Sequence, residues 1–302
     1  MNINPIITIL ILAFNKGKYI EKLLQSILSQ HTNYCFLIYI GLDGSKDNTV
    51  EIIKEFQRSY PGIIKYFVNP KKNLKRNIYD EDLHNFIDLY KKVNTKFFTV
   101  VDGDDFYLSK NKLNNQIKFL LKNNSYIGCC HNFKLYFDES QKYSTNLNSK
   151  TPEDINNINT YLLSNKVSYC HTATFVFRNK PEIKSFILKN FNNQYFKGDF
   201  IRSLTFLHFG SIKYLPNLYS AYRINKTGAW SQQCQIDNLK YNIKLINFHK
   251  NNKTFGKYYK KTFLIYNLYS ILKLLDLQIN LIDKIFYTIQ KKYINFYLNR
   301  IR

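Results

Sequence analysis

Residues 6 to 13 read Ile-Ile-Thr-Ile-Leu-Ile-Leu-Ala, an aliphatic and β-branched run without polar alternation. A strand with one face in water alternates, whereas a run apolar on both faces must be covered on both. That points to a parallel sheet between helices, because parallel strands need crossovers long enough to carry a helix. The following residues fit. Tyr19, Ile20, Leu23, Leu24, Ile27 and Leu28 recur at helical spacing, a second apolar run spans 35 to 42, and Val50, Ile52, Ile53 and Phe56 mark a second helix. Pro61-Gly62 ends that helix, 63 to 68 reads as a third strand, Leu83, Phe86, Ile87 and Tyr90 as a helix, and 97 to 101 as a fourth strand. The predicted class is therefore α/β, a Rossmann-like, mostly parallel sheet flanked by helices, with ligands collecting at the carboxyl ends of its strands.

From 109 onward the pattern is mixed: a helix through Leu113, Ile117, Leu120 and Leu121, a strand from 126 to 137, a short helix from 155 to 163, a strand from 171 to 177, a helix from 201 to 209 and a strand from 212 to 222. Residues 238 to 302 read as a helical extension carrying eleven Lys and two Arg against Asp276 and Asp283. Charged residues interrupt every window there that is long enough to cross a bilayer. The expected organisation is one domain over 1–237, divided near 108/109, and the extension over 238–302.

The whole chain has 44 Lys and Arg against 21 Asp and Glu, a net charge of +23. Nucleic acid, an anionic membrane or phosphorylated substrates are the partners such a balance invites. The Lys, Asn, Ile, Tyr and Phe bias of the chain accounts for part of it without function. Tyr and Phe are spread throughout, with no recognition motif for nucleic acid, so no nucleic-acid partner is expected. Five cysteines, Cys35, Cys129, Cys130, Cys170 and Cys234, lack the paired spacings of a zinc site, and an odd number argues against a complete disulfide framework. A reducing cytoplasm is the expected location. The first apolar run is too short to span a bilayer and lacks the basic flank and cleavage site of a signal peptide.

The strongest chemical signal is Val100-Val101-Asp102-Gly103-Asp104-Asp105, where a buried strand delivers carboxylates into a turn. Carboxylates this close repel unless a cation or donors neutralise them, and a hard divalent ion shared with diphosphate oxygens is one solution. A solvated acidic turn capping the helix near Ser109 is the other. A second acidic turn, Leu42-Asp43-Gly44-Ser45-Lys46-Asp47-Asn48-Thr49, follows the second strand.

Taken in order, Thr8 to Lys16, the helix with Leu23, Ser26, Ile27 and Gln30, the Asp43 turn and Asp102-Gly103-Asp104-Asp105 resemble the family 2 glycosyltransferases of the GT-A fold, over about residues 5 to 232. The resemblance implies an inverting transfer of sugar from a nucleotide diphosphate to a hydroxyl of a glycan or lipid-linked glycan acceptor. It makes 1–108 the nucleotide-binding half and 109–237 the acceptor half. Ala13, Phe14 and Asn15 would line the base, and Asp43 would accept from it, favouring UDP. Asp102 and Gly103 would face the ribose, and Asp102 and Asp104 would hold Mn2+ or Mg2+. Lys75, Arg76, His84 and Asn85 fall where relatives place groups near the diphosphate, with altered spacing. Asp199, in Gly198-Asp199-Phe200, matches the general base, although the acidic residue that commonly precedes it is missing. Arg223 would pair with phosphate and Trp230 would contact the acceptor, within a segment that closes over the site. His171, beside an apolar strand, reads as a core histidine.

Two other classes compete with this reading. A nucleotidyltransferase acting on sugar phosphates shares a nucleotide-binding sheet but needs a Gly-rich basic loop after the first strand, of which Phe14-Asn15-Lys16-Gly17 has little. A basic nucleic-acid-binding protein fits the charge alone. Surface polysaccharide or lipooligosaccharide assembly in a bacterium follows from family habit, and the basic tail offers a peripheral contact with the inner face of the cytoplasmic membrane.

Overall fold

The computed structural model describes residues 4–68, 81–145, 154–158, 161, 171–190, 198–226, 235–251, 255, 259, 260, 264 and 271. Strand β1 (Ile7–Ala13) is buried along its full length, as its unalternating sequence requires. Helix α1 (Ile20–Leu28) covers it with Ile20, Leu23, Leu24 and Ile27, the residues that recur at helical spacing. Then follow β2 (Phe36–Leu42), α2 (Thr49–Ser59), β3 (Ile64–Val68), α3 (Glu81–Lys91) and β4 (Phe97–Asp102). β1 pairs in parallel with β2 on one side and β4 on the other, and β2 pairs in parallel with β3. This is the expected parallel sheet flanked by helices, with β1 between β2 and β4.

The remaining elements extend the sheet beyond β4. They are β5 (Phe106–Tyr107), α4 (Lys112–Lys122), β6 (Tyr126–Phe137), β7 (Lys142–Thr145), β8 (Val176–Arg178), α5 (Pro181–Asn190), α6 (Gly198–Phe209) and β9 (Ser211–Ile224). The strand order is β3-β2-β1-β4-β8-β6-β9-β5, with β7 paired to β6. β8 is antiparallel to both β4 and β6, while β6 and β9 run parallel. Their register slips between His131 and Phe133, opposite the stretch of β9 that contains Pro216, a residue with no N–H for the ladder. Phe98 on β4 contacts Tyr90, Phe177 and Phe206, with ring centroids 4.8, 5.7 and 5.6 Å away, tying α3, β8 and α6 to the sheet.

Two expectations from the sequence change. The strand expected over 171–177 is a 3-10 turn at Thr172–Thr174 and a strand only at Val176–Arg178. His171 starts that turn because its ring Nδ1 accepts from the Ala173 N–H at 3.4 Å. The helix expected to start at Ile155 does not begin there. Ile155 forms an isolated antiparallel bridge with Ile212, exchanging backbone hydrogen bonds of 2.9 and 2.8 Å.

The chain divides into two compact units, one of residues 1–158 and 166–225, the other of 159–165 and 226–302. The second contains α7 (Gln235–Asn251). Among the described residues no helix is long and apolar enough to cross a membrane.

Candidate active site

The two acidic turns flank the end of β1. The Asp43 N–H donates to the Ala13 carbonyl at 3.2 Å, and the Gly103 N–H donates to the Leu12 carbonyl at 3.0 Å. Leu12 and Ala13 therefore hold the turn after β2 on one side and the turn after β4 on the other. Asp43 is buried, as is Ala13, while the Phe14 ring is 39% exposed at the rim. Asn15 adopts a left-handed φ of 49°, a conformation asparagine tolerates better than most residues, and laces the two loops together. Its N–H donates to Ser45 Oγ at 3.0 Å and its side-chain oxygen accepts from the Lys46 N–H at 2.8 Å. The Lys16 N–H donates to Thr49 Oγ1 at 2.7 Å, and the Gly17 N–H to Asp47 Oδ2 at 2.9 Å.

Each carboxylate after β4 has a different environment. Asp102 ends β4 opposite Leu12 and is half-buried. Asp104 Oδ2 accepts from Lys16 Nζ at 2.5 Å and from Asn225 Nδ2 at 3.2 Å. Asp105 is 1% exposed. Its Oδ1 accepts from the Arg223 N–H at 2.9 Å. Its Oδ2 accepts no aligned hydrogen bond among the described residues and lies 3.1 Å from His171 Nε2. Burial first, then the Asp104 and Asp102 carboxylates, push the Asp105 carboxyl well above its ordinary range, against the Arg223 N–H and the Lys16 ammonium.

Asp102, Asp105 and His171 each offer one ligand atom, and those atoms lie within 4.8 Å of one another. Two carboxylates and an imidazole form a donor set that suits Mn2+ better than Mg2+, which prefers oxygen alone. A cation would also meet the buried Asp105 Oδ2, which accepts no aligned hydrogen bond among the described residues. Binding through Nε2 requires the Nδ1–H tautomer of His171, which gives up the long contact with the Ala173 N–H.

Residues 8–186 match the profile of glycosyl transferase family 2. The chain belongs to that family. Among the relatives of this chain is an uncharacterized protein of Mycobacterium tuberculosis, 23% identical over 227 residues, covering 74% of this chain and 60% of that protein. The chain thus spans 60% of the length of its mycobacterial relatives. The dTDP-rhamnosyl transferase RfbG of Shigella flexneri is 36% identical over 118 residues, 37% of each chain. S. aureus TarS in complex with UDP-GlcNAc superposes with a TM-score of 0.61 at 15% identity, covering 92% of this chain and 77% of that one. The mannosyltransferase PcManGT from Pyrobaculum calidifontis, in complex with GDP-Man and Mn2+, gives 0.57 at 12% identity over 98% and 84%. These superpositions agree with the GT-A fold implied by the sequence.

Within the family 2 domain, the structure brings Ala13, Asn15, Asp43, Asp102, Gly103 and Asp104 together at the carboxyl ends of β1, β2 and β4. Arg223 is buried there with its guanidinium committed to the protein. Its Nε donates to the Asp104 carbonyl at 2.7 Å, and its Nη1 to Asp138 Oδ1 at 2.6 Å. The rings of Tyr19, Phe106 and Tyr136 surround it at 4.7 to 5.2 Å. Asn85 is turned elsewhere, its Nδ2 donating to the Gly41 carbonyl at 2.9 Å. Asp199 is the second residue of α6, with its side chain outside the described part, as is that of His84. Lys75, Arg76 and Trp230 lie outside the described residues. Sequence reading gave no site role to Lys16, Asp138 or His171. Their signal is contact across 88, 85 and 66 positions of chain with Asp104, Arg223 and Asp105, which no local motif records.

Proposed function

We propose that this protein transfers a sugar from a nucleotide diphosphate, UDP by preference, to a hydroxyl of a glycan or lipid-linked glycan, inverting the anomeric centre. The observation that carries the reading is the convergence of the Asp43 turn and the Asp102–Asp105 turn on the last two residues of β1. TarS and PcManGT, which share the fold and are in complex with UDP-GlcNAc and with GDP-Man and Mn2+, support it.

In this reading Ala13, Phe14 and Asn15 receive the base, and Asp43 accepts its imide N–H. Asp102 and Gly103 meet the ribose side, and Asp102 and Asp104 would hold a divalent ion, with Asp105 and His171 offering further ligand atoms beside Asp102. Such an ion offsets the charge developing on the departing nucleoside diphosphate. Arg223 keeps Asp104 and Asp105 in place through its backbone and guanidinium donors. Asp199 takes the proton of the acceptor hydroxyl as that oxygen attacks the anomeric carbon and the sugar–phosphate bond breaks. Trp230 offers an aromatic face to the acceptor. The protein works in the bacterial cytoplasm, held at the inner membrane face by the basic tail, in surface polysaccharide or lipooligosaccharide assembly.

The test is a thermal-shift and turnover screen of UDP-, GDP- and dTDP-sugars with and without Mn2+. Donor-dependent stabilisation is expected for a UDP-sugar. Asp199→Asn is expected to keep donor binding and to lose about a hundredfold or more in transfer rate. Normal turnover in that variant removes Asp199 as the base. A wild-type protein that binds no nucleotide sugar removes the reading.

A further inference from the structure

Asp138, in the turn between β6 and β7, belongs to neither acidic turn at the strand ends, yet its N–H and both its carboxylate oxygens are engaged. The N–H donates to the Ile224 carbonyl at 3.0 Å, just beyond the last paired residues of β6 and β9. Oδ2 accepts from Lys18 Nζ at 2.7 Å and from Tyr19 Oη at 3.2 Å, and Oδ1 accepts from Arg223 Nη1 at 2.6 Å. Burial alone would raise the Asp138 carboxyl, but the Lys18 and Arg223 donors outweigh it and hold the group below its ordinary range. An ionised carboxylate therefore receives the guanidinium at neutral pH. Both side chains of this pair are shielded from solvent, Arg223 at 5% exposure and Asp138 at 12%.

Arg223 touches the acidic turn after β4 at two separate points. Its N–H donates to Asp105 Oδ1 at 2.9 Å, and its Nε donates to the Asp104 carbonyl at 2.7 Å. An arginine side chain gives up much rotamer freedom to hold one pose, so the second contact persists only where something orients the guanidinium. Asp138 does so from the far end. The group is planar, and a bond at Nη1 together with one at Nε sets both its position and its plane. The rings of Tyr19, Phe106 and Tyr136 pack around it. We propose that Asp138 is a positioning residue of the acidic turn: through Arg223 it holds Asp104 and Asp105 in the geometry that receives the divalent ion. Lys18 and Tyr19 follow directly on the loop of Asn15 to Gly17, so the same carboxylate ties that loop to the turn. The assignment rests on the glycosyltransferase reading, in which the turn binds the ion, and adds to it a residue from a hairpin outside every motif.

A second carboxylate braces the opposite end of the same strand pair and separates positioning from plain stability. Asp154 accepts from Tyr126 Oη at 3.1 Å, from Lys213 Nζ at 3.0 Å and from the Tyr214 N–H at 3.1 Å, near the starts of β6 and β9. The experiment measures Mn2+ binding to the nucleotide-free full-length protein by electron paramagnetic resonance, with thermal unfolding of each variant alongside. Asp138→Ala is expected to weaken Mn2+ by about tenfold. Asp138→Asn keeps an oxygen for Arg223 without the charge and is expected to fall between Asp138→Ala and wild type. Asp154→Ala is expected to lower the unfolding temperature while its Mn2+ affinity stays within about twofold of wild type. Wild-type Mn2+ affinity in Asp138→Asn overturns the assignment, even where Asp138→Ala fails to fold. So does an Asp154→Ala protein that loses as much Mn2+ affinity as Asp138→Ala. Both results leave the glycosyltransferase reading standing. A wild-type protein that binds no Mn2+ overturns the cation part of that reading and this assignment with it.

Discussion

Lys112 is fully buried at the start of α4, with its ammonium donating to Gln116 Oε1 at 2.8 Å and lying 4.4 Å from the centre of the Tyr107 ring. Burial pushes its pKa down from 10.5 to about 7. Between these values the unfolded chain carries the proton and the folded one does not, so the unfolded state binds more protons and stability rises with pH. Below about 7 both states are protonated and the cost of the buried charge levels off; above 10.5 both are neutral and the cost is gone. Across the window the slope is about 1.4 kcal/mol per pH unit. Urea unfolding at pH 7, 8 and 9 is expected to show that component in the wild type and not in Lys112→Met; parallel pH profiles would contradict it. Individual residues were unevenly legible in the sequence. Asp43 and Asp102 stood out because each ends an apolar run. The division of labour among Asp102, Asp104 and Asp105 did not, because it depends on Lys16, Asn225, Arg223 and His171, which arrive from other elements.

At the scale of elements, Arg178 at the end of β8 joins three pieces of backbone. Its Nε donates to the Tyr126 carbonyl at 2.7 Å, and its Nη2 to the Asn123 carbonyl at 3.0 Å and to the Leu120 carbonyl. Helix α4 thereby has terminal carbonyls satisfied by a cation, and β6 is tied at its first residue. Arg178→Met leaves those carbonyls without their donor and is expected to cost about 2–4 kcal/mol in urea unfolding. Arg178→Lys is expected to recover only part of this, because an ammonium lacks the planar fork. Full recovery by lysine would mean that charge alone matters. Helical and apolar periodicity announced β1 to β4 and α1, α2 and α4. Periodicity failed for β8, since 171–177 is apolar enough for a strand, yet His171 and Thr174 exchange hydrogen bonds that close a turn. β5 is too short to leave a period at all.

At the scale of the molecule, the net charge of +23 exceeds what the described site employs, and +11 of it lies in residues 238–302. The proposed docking at an anionic membrane predicts co-sedimentation of the full-length protein with vesicles containing phosphatidylglycerol, not with purely zwitterionic ones. The bound fraction is expected to fall steeply as salt rises from about 50 mM to 500 mM, since screening shortens the reach of each charge to a few ångströms. Binding that ignores salt and lipid charge would leave the tail without this role.

The sequence by itself determined that a parallel sheet forms around β1, that helices cover it, and that two acidic turns stand at strand ends. These follow from apolar periodicity and chain direction, which are local. Only the tertiary structure decided which carboxylate is buried, which is paired with lysine and which faces an imidazole. Those properties belong to side chains that meet across the sheet, where dielectric and partner, rather than residue type, set what an aspartate does.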